Sequence, residues 1–246
     1  MKILVCISHV PDTTTKIAFT DNNTKLNPQG VQYIIGPYDE YALARAVELK
    51  EADASIHITV LNVGESDTEP TLRKALAIGA DEAVRINANP VDAQFVASAI
   101  VDYAKDKAFD LILTGRESID YNSGLVHSFI GELLNIPSVS PVMKLELNGS
   151  KVSLAKEIEG GKEYLEVNLP LVAGCQEPIA EWKIPNMRGI MSARTKPLAV
   201  IEPNAVQANS TLLSMELPAA KQGCKFVDAA NVDELVSLLK NEAKVI

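Results

Sequence analysis

The stretch Thr114-Gly115-Arg116-Glu117-Ser118-Ile119-Asp120-Tyr121-Asn122-Ser123-Gly124 carries the densest chemistry in the chain. A short apolar run, Phe109 to Leu113, leads into Gly115, and a polar loop follows. Asn122-Ser123-Gly124 then opens a helical pattern, predicted from about Ser123 to Leu134, that stops before Pro137. Backbone N–H groups at such a helix start, with the Ser123 hydroxyl beside them, make a phosphate site. A capped helix after an ordinary strand-to-helix loop is the plainer account. No lysine stands in a Walker arrangement and no G-x-G-x-x-G occurs, so neither a P-loop nor a dinucleotide fingerprint is present. Three other segments end at comparable positions: Val10-Pro11-Asp12-Thr13, Gly36-Pro37-Tyr38-Asp39 and Asn62-Val63-Gly64.

Residues for acid–base or metal chemistry are sparse. His9, His57 and His127 have no cysteine, serine or acidic partner at a spacing that marks a triad or a metal site. Glu157, Glu159 and Glu163 lie across a turn and read as a solvated hairpin tip. We assign no catalytic residue and no metal ligand, which favours a binding or carrier module. The basic loop from Lys183 to Lys196 stands out in an acidic chain. Its Ile184, Met187, Ile190 and Met191 beside Arg188 and Arg194 suit a docking patch, an apolar anchor with a charged rim. The competing account returns Ile190 and Met191 to the core; we expect an anchored base carrying an exposed tip.

The elements that must position these residues alternate through the first two-thirds. Strands are predicted at Lys2 to Val10, Ser55 to Val63, Glu82 to Ile86 and Phe109 to Leu113. Helices are predicted at Pro37 to Ala52, at Thr68 to Ile78 with Gly79 as its cap, and at Ala93 to Lys105. This order predicts an α/β fold with a mostly parallel, doubly wound sheet, which binds ligands at the C-terminal ends of its strands. Later, Val142 to Leu147 and Val152 to Ile158 read as a hairpin around Asn148-Gly149, followed by Tyr164 to Leu169 and Leu171 to Gly174. These antiparallel pieces should extend the sheet. Ile179 to Pro197 reads as a loop and Val200 to Gly223 as an extended arm. Asn231 to Ala243 reads as an amphipathic helix with Asn231 as its N-cap. Residues 1–199 thus form the α/β domain and 200–246 a C-terminal arm with a helix.

Composition bounds the rest. The chain has 246 residues, 47% hydrophobic and 22% charged, with a net charge of −9. That balance argues against a nucleic-acid surface or an anionic membrane as partner, since both select clustered cations. No apolar run reaches the ~18 residues of a membrane span. Met1 to Ile7 starts like a signal peptide, but Ser8-His9-Val10-Pro11-Asp12 ends it without a cleavage site. Cys6, Cys175 and Cys224 are odd in number and far apart, which fits reduced thiols in a cytoplasm.

These segments, taken in order, resemble the beta subunit of electron-transferring flavoprotein over nearly the whole chain. The resemblance is carried by Val10-Pro11-Asp12-Thr13 with Lys16-Ile17, by Pro37-Tyr38-Asp39-Glu40 with Ala46-Val47, and by Leu72 to Asp81. It continues in Gly115 with Ser118-Ile119-Asp120, in Lys156 to Gly161 before Leu169-Pro170, and in Ile184 to Met191 before Ala193 to Pro197. It implies an adenine-nucleotide-binding, Rossmann-like fold and a heterodimer whose alpha subunit carries the redox FAD. The beta subunit would hold AMP, or a second FAD in bifurcating members. The dimer would take electrons from acyl-CoA or other dehydrogenases and pass them to a membrane quinone oxidoreductase, in fatty acid beta-oxidation.

Carried over by position, the nucleotide pocket uses Cys6, Ser8, Gly36, Pro37, Tyr38, Asp39 and Val63. It continues through Gly115, Arg116, Glu117, Ser118, Ile119, Asp120, Asn122, Ser123, Gly124, Leu125 and Val126. The recognition loop uses Ile184, Met187, Arg188 and Ile190, with Met187 at the anchor position, and Glu157 matches an acid that pairs with an alpha-subunit arginine. Departures are Ser8 where relatives have lysine, and Leu125-Val126-His127 where they have glutamine and glycine. Two alternatives stay open: an FAD-binding beta subunit of a bifurcating, NADH-linked flavoprotein, and a stand-alone nucleotide-binding protein of the universal-stress type.

Overall fold

The computed structural model describes residues 1–204, 207–220 and 223–246. Strand β1 (Lys2–Cys6) opens the chain, followed by three short excursions, β2 (His9–Pro11), the hairpin β3 (Phe19–Thr20) and β4 (Lys25–Leu26), and β5 (Tyr33–Ile35). Helix α1 (Pro37–Ala52), β6 (His57–Val63), α2 (Glu69–Ile78), β7 (Glu82–Ile86), α3 (Ala93–Ala104), β8 (Leu111–Gly115) and α4 (Val126–Leu134) alternate as predicted. Then come β9 (Ser138–Asn148), β10 (Lys151–Ile158), β11 (Gly161–Asn168), β12 (Leu171–Cys175), α5 (Met187–Ala193), β13 (Leu198–Ile201) and α6 (Val232–Ser237), which continues into a wider turn, Leu238–Ala243.

Nine strands form one sheet in the order β11-β10-β9-β12-β8-β1-β6-β7-β13. From β9 through β13 the neighbours run parallel, and β9-β10-β11 add an antiparallel flank. The chain winds from β1 outward to β7 and then returns to β8 on the other side of β1. That reversal makes the tips of β1 and β8 the switch point, where an α/β sheet leaves a crevice.

Both sheet faces are covered, so the central strands are mostly apolar. One core packs Ala42, Leu43 and Ala46 of α1 and Leu72 and Leu76 of α2 over Ile3, Val5, Ile58 and Leu113. The other packs Ala97 and Ile100 of α3 and Ile130 of α4 over Leu4, Leu61, Val84 and Ile112. No helix is long and apolar enough to cross a membrane among the described residues.

Four local readings are corrected. The strand predicted from Lys2 to Val10 breaks after Cys6, because side chains take the next ladder groups: Asn62 Nδ2 donates to the Ile7 carbonyl at 2.9 Å, and Ser8 N–H donates to Asp39 at 2.8 Å. The helix predicted from Ser123 begins at Val126, because Asn122 (φ 47°) and Gly124 (φ 58°) sit in the left-handed region. The loop 179–197 contains α5, whose N-terminus is capped by Asn186 Oδ1 accepting from Gly189 N–H at 2.8 Å. The predicted arm begins inside β13, whose residues Leu198–Ile201 pair with Ala83–Ile86 of β7.

Beyond β13 the arm touches the domain at few points. Asn209 and Ser210 N–H donate to Asp92 at 2.8 and 2.9 Å, and Met215 N–H donates to the Asn23 carbonyl at 2.7 Å. Residues 205–206 and 221–222 of the predicted arm lie outside the described residues. Asn231 caps α6 through its side chain, as its position predicts.

Candidate functional site

A cavity of about 220 Å³ opens at the switch point. Its floor is the strand tips. Ile7, Ser8 and His9 follow β1, Leu61, Asn62 and Val63 end β6, and Thr114 and Gly115 end β8. One wall is the loop 116–125 with Val126 at the start of α4; the other is Glu65, Asp67 and Thr68 before α2, with Val96 and Ile100 of α3 closing the back.

Asp39 ties the floor together. Proline at the first position of α1 and acids in its first turn set this helix start, and the Asp39 side chain turns back to the sheet. Its carboxylate accepts from Ser8 N–H at 2.8 Å, from the Ser8 hydroxyl, and from Gly115 N–H at 2.8 Å. Burial pushes its carboxyl up to about 6, against the lowering effect of those three bonds. Gly115 has no room for a side chain: a Cβ would lie 2.6 Å from Asp39 Oδ1 and 2.7 Å from Tyr38 Cβ.

Arg116 is the single cation lining the cavity among the described residues. Its guanidinium lies 4.7 Å from the centre of the Tyr38 ring. Nη2 donates to Glu117 at 3.0 Å and Nη1 to Gln176 Oε1 at 2.9 Å, and Gln176 Nε2 in turn donates to Glu157 at 2.5 Å. Glu157 is therefore held at the sheet's antiparallel flank by the same chain of bonds that holds Arg116. Asp120 is pushed up by burial, and Tyr121 is pushed up to about 12 by burial and by Asp120, Asp39 and Asp92.

Buried polar atoms without partners gather here. Among the described residues four such side-chain atoms occur, and three of them, His9 Nε2, Asn62 Oδ1 and Arg116 Nε, belong to residues lining this cavity. Native interiors satisfy nearly all buried polar groups, so this concentration sets the surroundings of the cavity apart from the rest of the described residues. The His9 ring is held by Thr71 at 2.7 Å through Nδ1 and stacks on Tyr33 at 4.4 Å, and burial lowers its pKa.

Of the residues singled out in the sequence, Ser8, Asp39, Val63, Gly115 to Ser118, Asp120 and Ser123 to Val126 line the cavity. Cys6, Gly36, Pro37, Tyr38, Ile119 and Asn122 are not among its lining residues. Burial, and then the Asp39 charge, push the Cys6 thiol far up, which keeps it protonated. Gly36 leaves the space that the Ser8 hydroxyl and Asp39 carboxylate occupy. His9, Asn62, Thr68 and Tyr121 line the cavity without having been assigned to the nucleotide pocket. A polar Asn62 closing the apolar run His57–Val63 was the visible signal for one of them.

The basic loop lies apart from the cavity. Its base is fastened to α2: Arg73 Nη1 donates to the Ala193 and Lys196 carbonyls at 2.8 Å each, and Lys196 Nζ to Leu76 and Ala80 carbonyls at 2.9 and 2.6 Å. A Cβ on Gly189 would run into the Ala77 carbonyl, so α5 sits hard on α2. Ala193 is buried, whereas Ile184, Met187 and Met191 are exposed and Ile190 is 41% exposed. The loop is an anchored base with an exposed apolar tip.

Comparison with known proteins gives a consistent result. The model of the electron transfer flavoprotein domain matches residues 24–206. A Bacillus subtilis protein named electron transfer flavoprotein subunit beta is 37% identical, over all of both chains. A protein of the same name from Syntrophomonas wolfei is 34% identical over the whole of this chain and 98% of its own. A mitochondrial one from Arabidopsis thaliana is 29% identical over all of both.

Proposed function

This chain belongs to the electron transfer flavoprotein family as a beta subunit, and we propose that it holds AMP in the switch-point cavity while shaping the site of an FAD carried by its alpha-subunit partner. The partner's FAD supplies the redox chemistry; this chain supplies binding, orientation and electrostatics. It is an electron carrier subunit rather than a catalyst in its own right.

The observation that carries the nucleotide reading is the cavity itself, which opens at the switch point between the tips of β1 and β8, where the polar loop 116–125 runs into the start of α4. Amide groups at the start of α4 and the Ser123 hydroxyl would take the phosphate, and the apolar slot of Leu61, Val63, Val96 and Ile100 the base. The alternative, an FAD in this cavity in a bifurcating NADH-linked complex, is distinguished by a second flavin per heterodimer.

The exposed tip of Ile184, Met187, Arg188 and Ile190 would dock acyl-CoA or related dehydrogenases in the cytoplasm, with electrons passed on toward the quinone pool. A small apolar anchor suits fast, transient docking. Residues 200–246 would pack on the alpha subunit: Leu213 is 84% and Phe226 94% exposed, and such apolar surface usually has a partner. The test is to purify this chain with its alpha subunit and follow flavin absorbance on mixing with substrate-reduced acyl-CoA dehydrogenase. Bleaching of the flavin supports the reading; a complex that does not form, or whose flavin stays oxidised, overturns it.

A further inference from the structure

Met187 and Met191 stand four residues apart on α5 and so share one face of it. They are 74% and 67% exposed, whereas the other three methionines, Met1, Met143 and Met215, are partly buried. Peroxides convert an accessible thioether into a sulfoxide, and the flexible apolar side chain becomes a polar one. Of the thiols, Cys6 and Cys175 are buried and Cys224 is exposed. The two accessible thioethers therefore lie together on the tip of the loop from Lys183 to Lys196.

Nothing that fastens the loop depends on sulfur. Asn186 caps α5, Gly189 sits against the Ala77 carbonyl, and Arg73 and Lys196 hold the base through backbone carbonyls. An oxygen added at either methionine changes the surface on offer and leaves its scaffold in place. Resting on the docking reading above, we propose that Met187 and Met191 are oxidation sites that make docking reversible by peroxide. A sulfur lone pair attacks one oxygen of hydrogen peroxide, the O–O bond breaks and an S–O bond forms. Sulfur gives up two electrons, and the second oxygen leaves with both hydrogens as water. The sulfoxide oxygen is an acceptor that an apolar docking contact would bury without a donor. Methionine sulfoxide reductases return the thioether, and docking with it.

The test exposes the purified complex of this chain and its alpha subunit to dilute hydrogen peroxide. Peptide mass mapping should find the added oxygen at Met187 and Met191 before Met143 or Met215. The kcat/KM for reduction by substrate-reduced acyl-CoA dehydrogenase should fall about tenfold. The two sulfoxide reductases, one for each epimer, should restore it. A complex carrying Met187→Leu and Met191→Leu, whatever its own kcat/KM, should lose less than about twofold under the same peroxide, with Cys224 still exposed. The inference is overturned if both sulfoxides form and kcat/KM holds, if the leucine variant loses as much as wild type, or if oxidation starts at the other methionines. Should the leucine variant fail to assemble, recovery decides: a loss that persists after mass mapping shows both sulfoxides reduced overturns it. Met187→Ala without peroxide separates the two readings. If that variant lowers kcat/KM and oxidation does not, only the oxidation role is removed; if neither does, the docking reading falls with it.

Discussion

Asp39 Oδ1 accepts a hydrogen bond from Gly115 N–H at 2.8 Å, so a side chain at the start of α1 fixes the tip of β8, the strand that enters the cavity loop. The other oxygen of the same carboxylate accepts from Ser8 after β1. One buried group thus sets the spacing of the two strand tips between which the sheet reverses.

Gly115→Ala should disrupt that spacing. The added methyl meets Asp39 Oδ1 at 2.6 Å, Tyr38 Cβ at 2.7 Å and Asp39 N at 3.0 Å, so strand and helix must separate. We expect a loss of about 1–3 kcal/mol in urea unfolding. AMP affinity should fall by at least about tenfold, since the polar loop springs from this residue.

Asp39 also predicts a pH dependence. Its carboxyl is raised from 3.8 to about 6 by burial, so the folded chain holds this proton more tightly than the unfolded one. Its contribution to stability is fully present below pH 3.8 and is lost as pH rises through about 6. Unfolding of wild type and Asp39→Asn at pH steps from 4 to 8 isolates the residue. The stability of wild type relative to the variant should decline across that window by up to about 3 kcal/mol. A constant difference would contradict the assignment.

Met187 is 74% exposed on the tip of the docking loop. Met187→Ala should leave melting temperature and nucleotide content unchanged and lower kcat/KM for reduction by a dehydrogenase about tenfold or more. Unaltered kinetics would move the anchor elsewhere on the loop.

Arg73 holds the base of that loop through two carbonyls. Arg73→Met should cost about 1–3 kcal/mol by stranding those acceptors. Limited proteolysis should then cut between residues 183 and 197 faster than in wild type.

The arm gives a complementary expectation. Replacing Leu213 and Phe226 by serine should leave the chain's own unfolding within about 0.5 kcal/mol of wild type, because both side chains face solvent. Association with the alpha subunit, measured by calorimetry or ultracentrifugation, should weaken. A lowered melting point with unchanged association would mean that the arm serves its own domain.

Much of the frame was legible because local chemistry and tertiary packing agree. The Gly36-Pro37 start and the extended Asp53 bound α1 where the sequence puts it, and Gly149 at φ 66° makes the turn that Asn148-Gly149 announces. What was not legible depends on partners distant in the chain. β1 ends early because Asn62 and Asp39, 55 and 31 residues away, take its ladder groups. α4 starts late because Asn122 adopts a left-handed conformation that its type permits but does not announce. Short strand β13 needs β7 beside it to form. At the site, the polar loop 114–124 was visible as a run, whereas His9, Asn62 and Thr68 meet only once β1, β6 and α2 are folded together.

The central claim, that this chain's switch-point cavity holds AMP while its partner holds the flavin, is tested most directly by counting nucleotides. The chain is co-produced with its alpha subunit, the complex is denatured, and the released nucleotides are identified and quantified by mass spectrometry. One AMP and one FAD per heterodimer is the expected result, with AMP lost in Gly115→Ala and FAD retained. Two FAD and no AMP would contradict the account and make this cavity a flavin site.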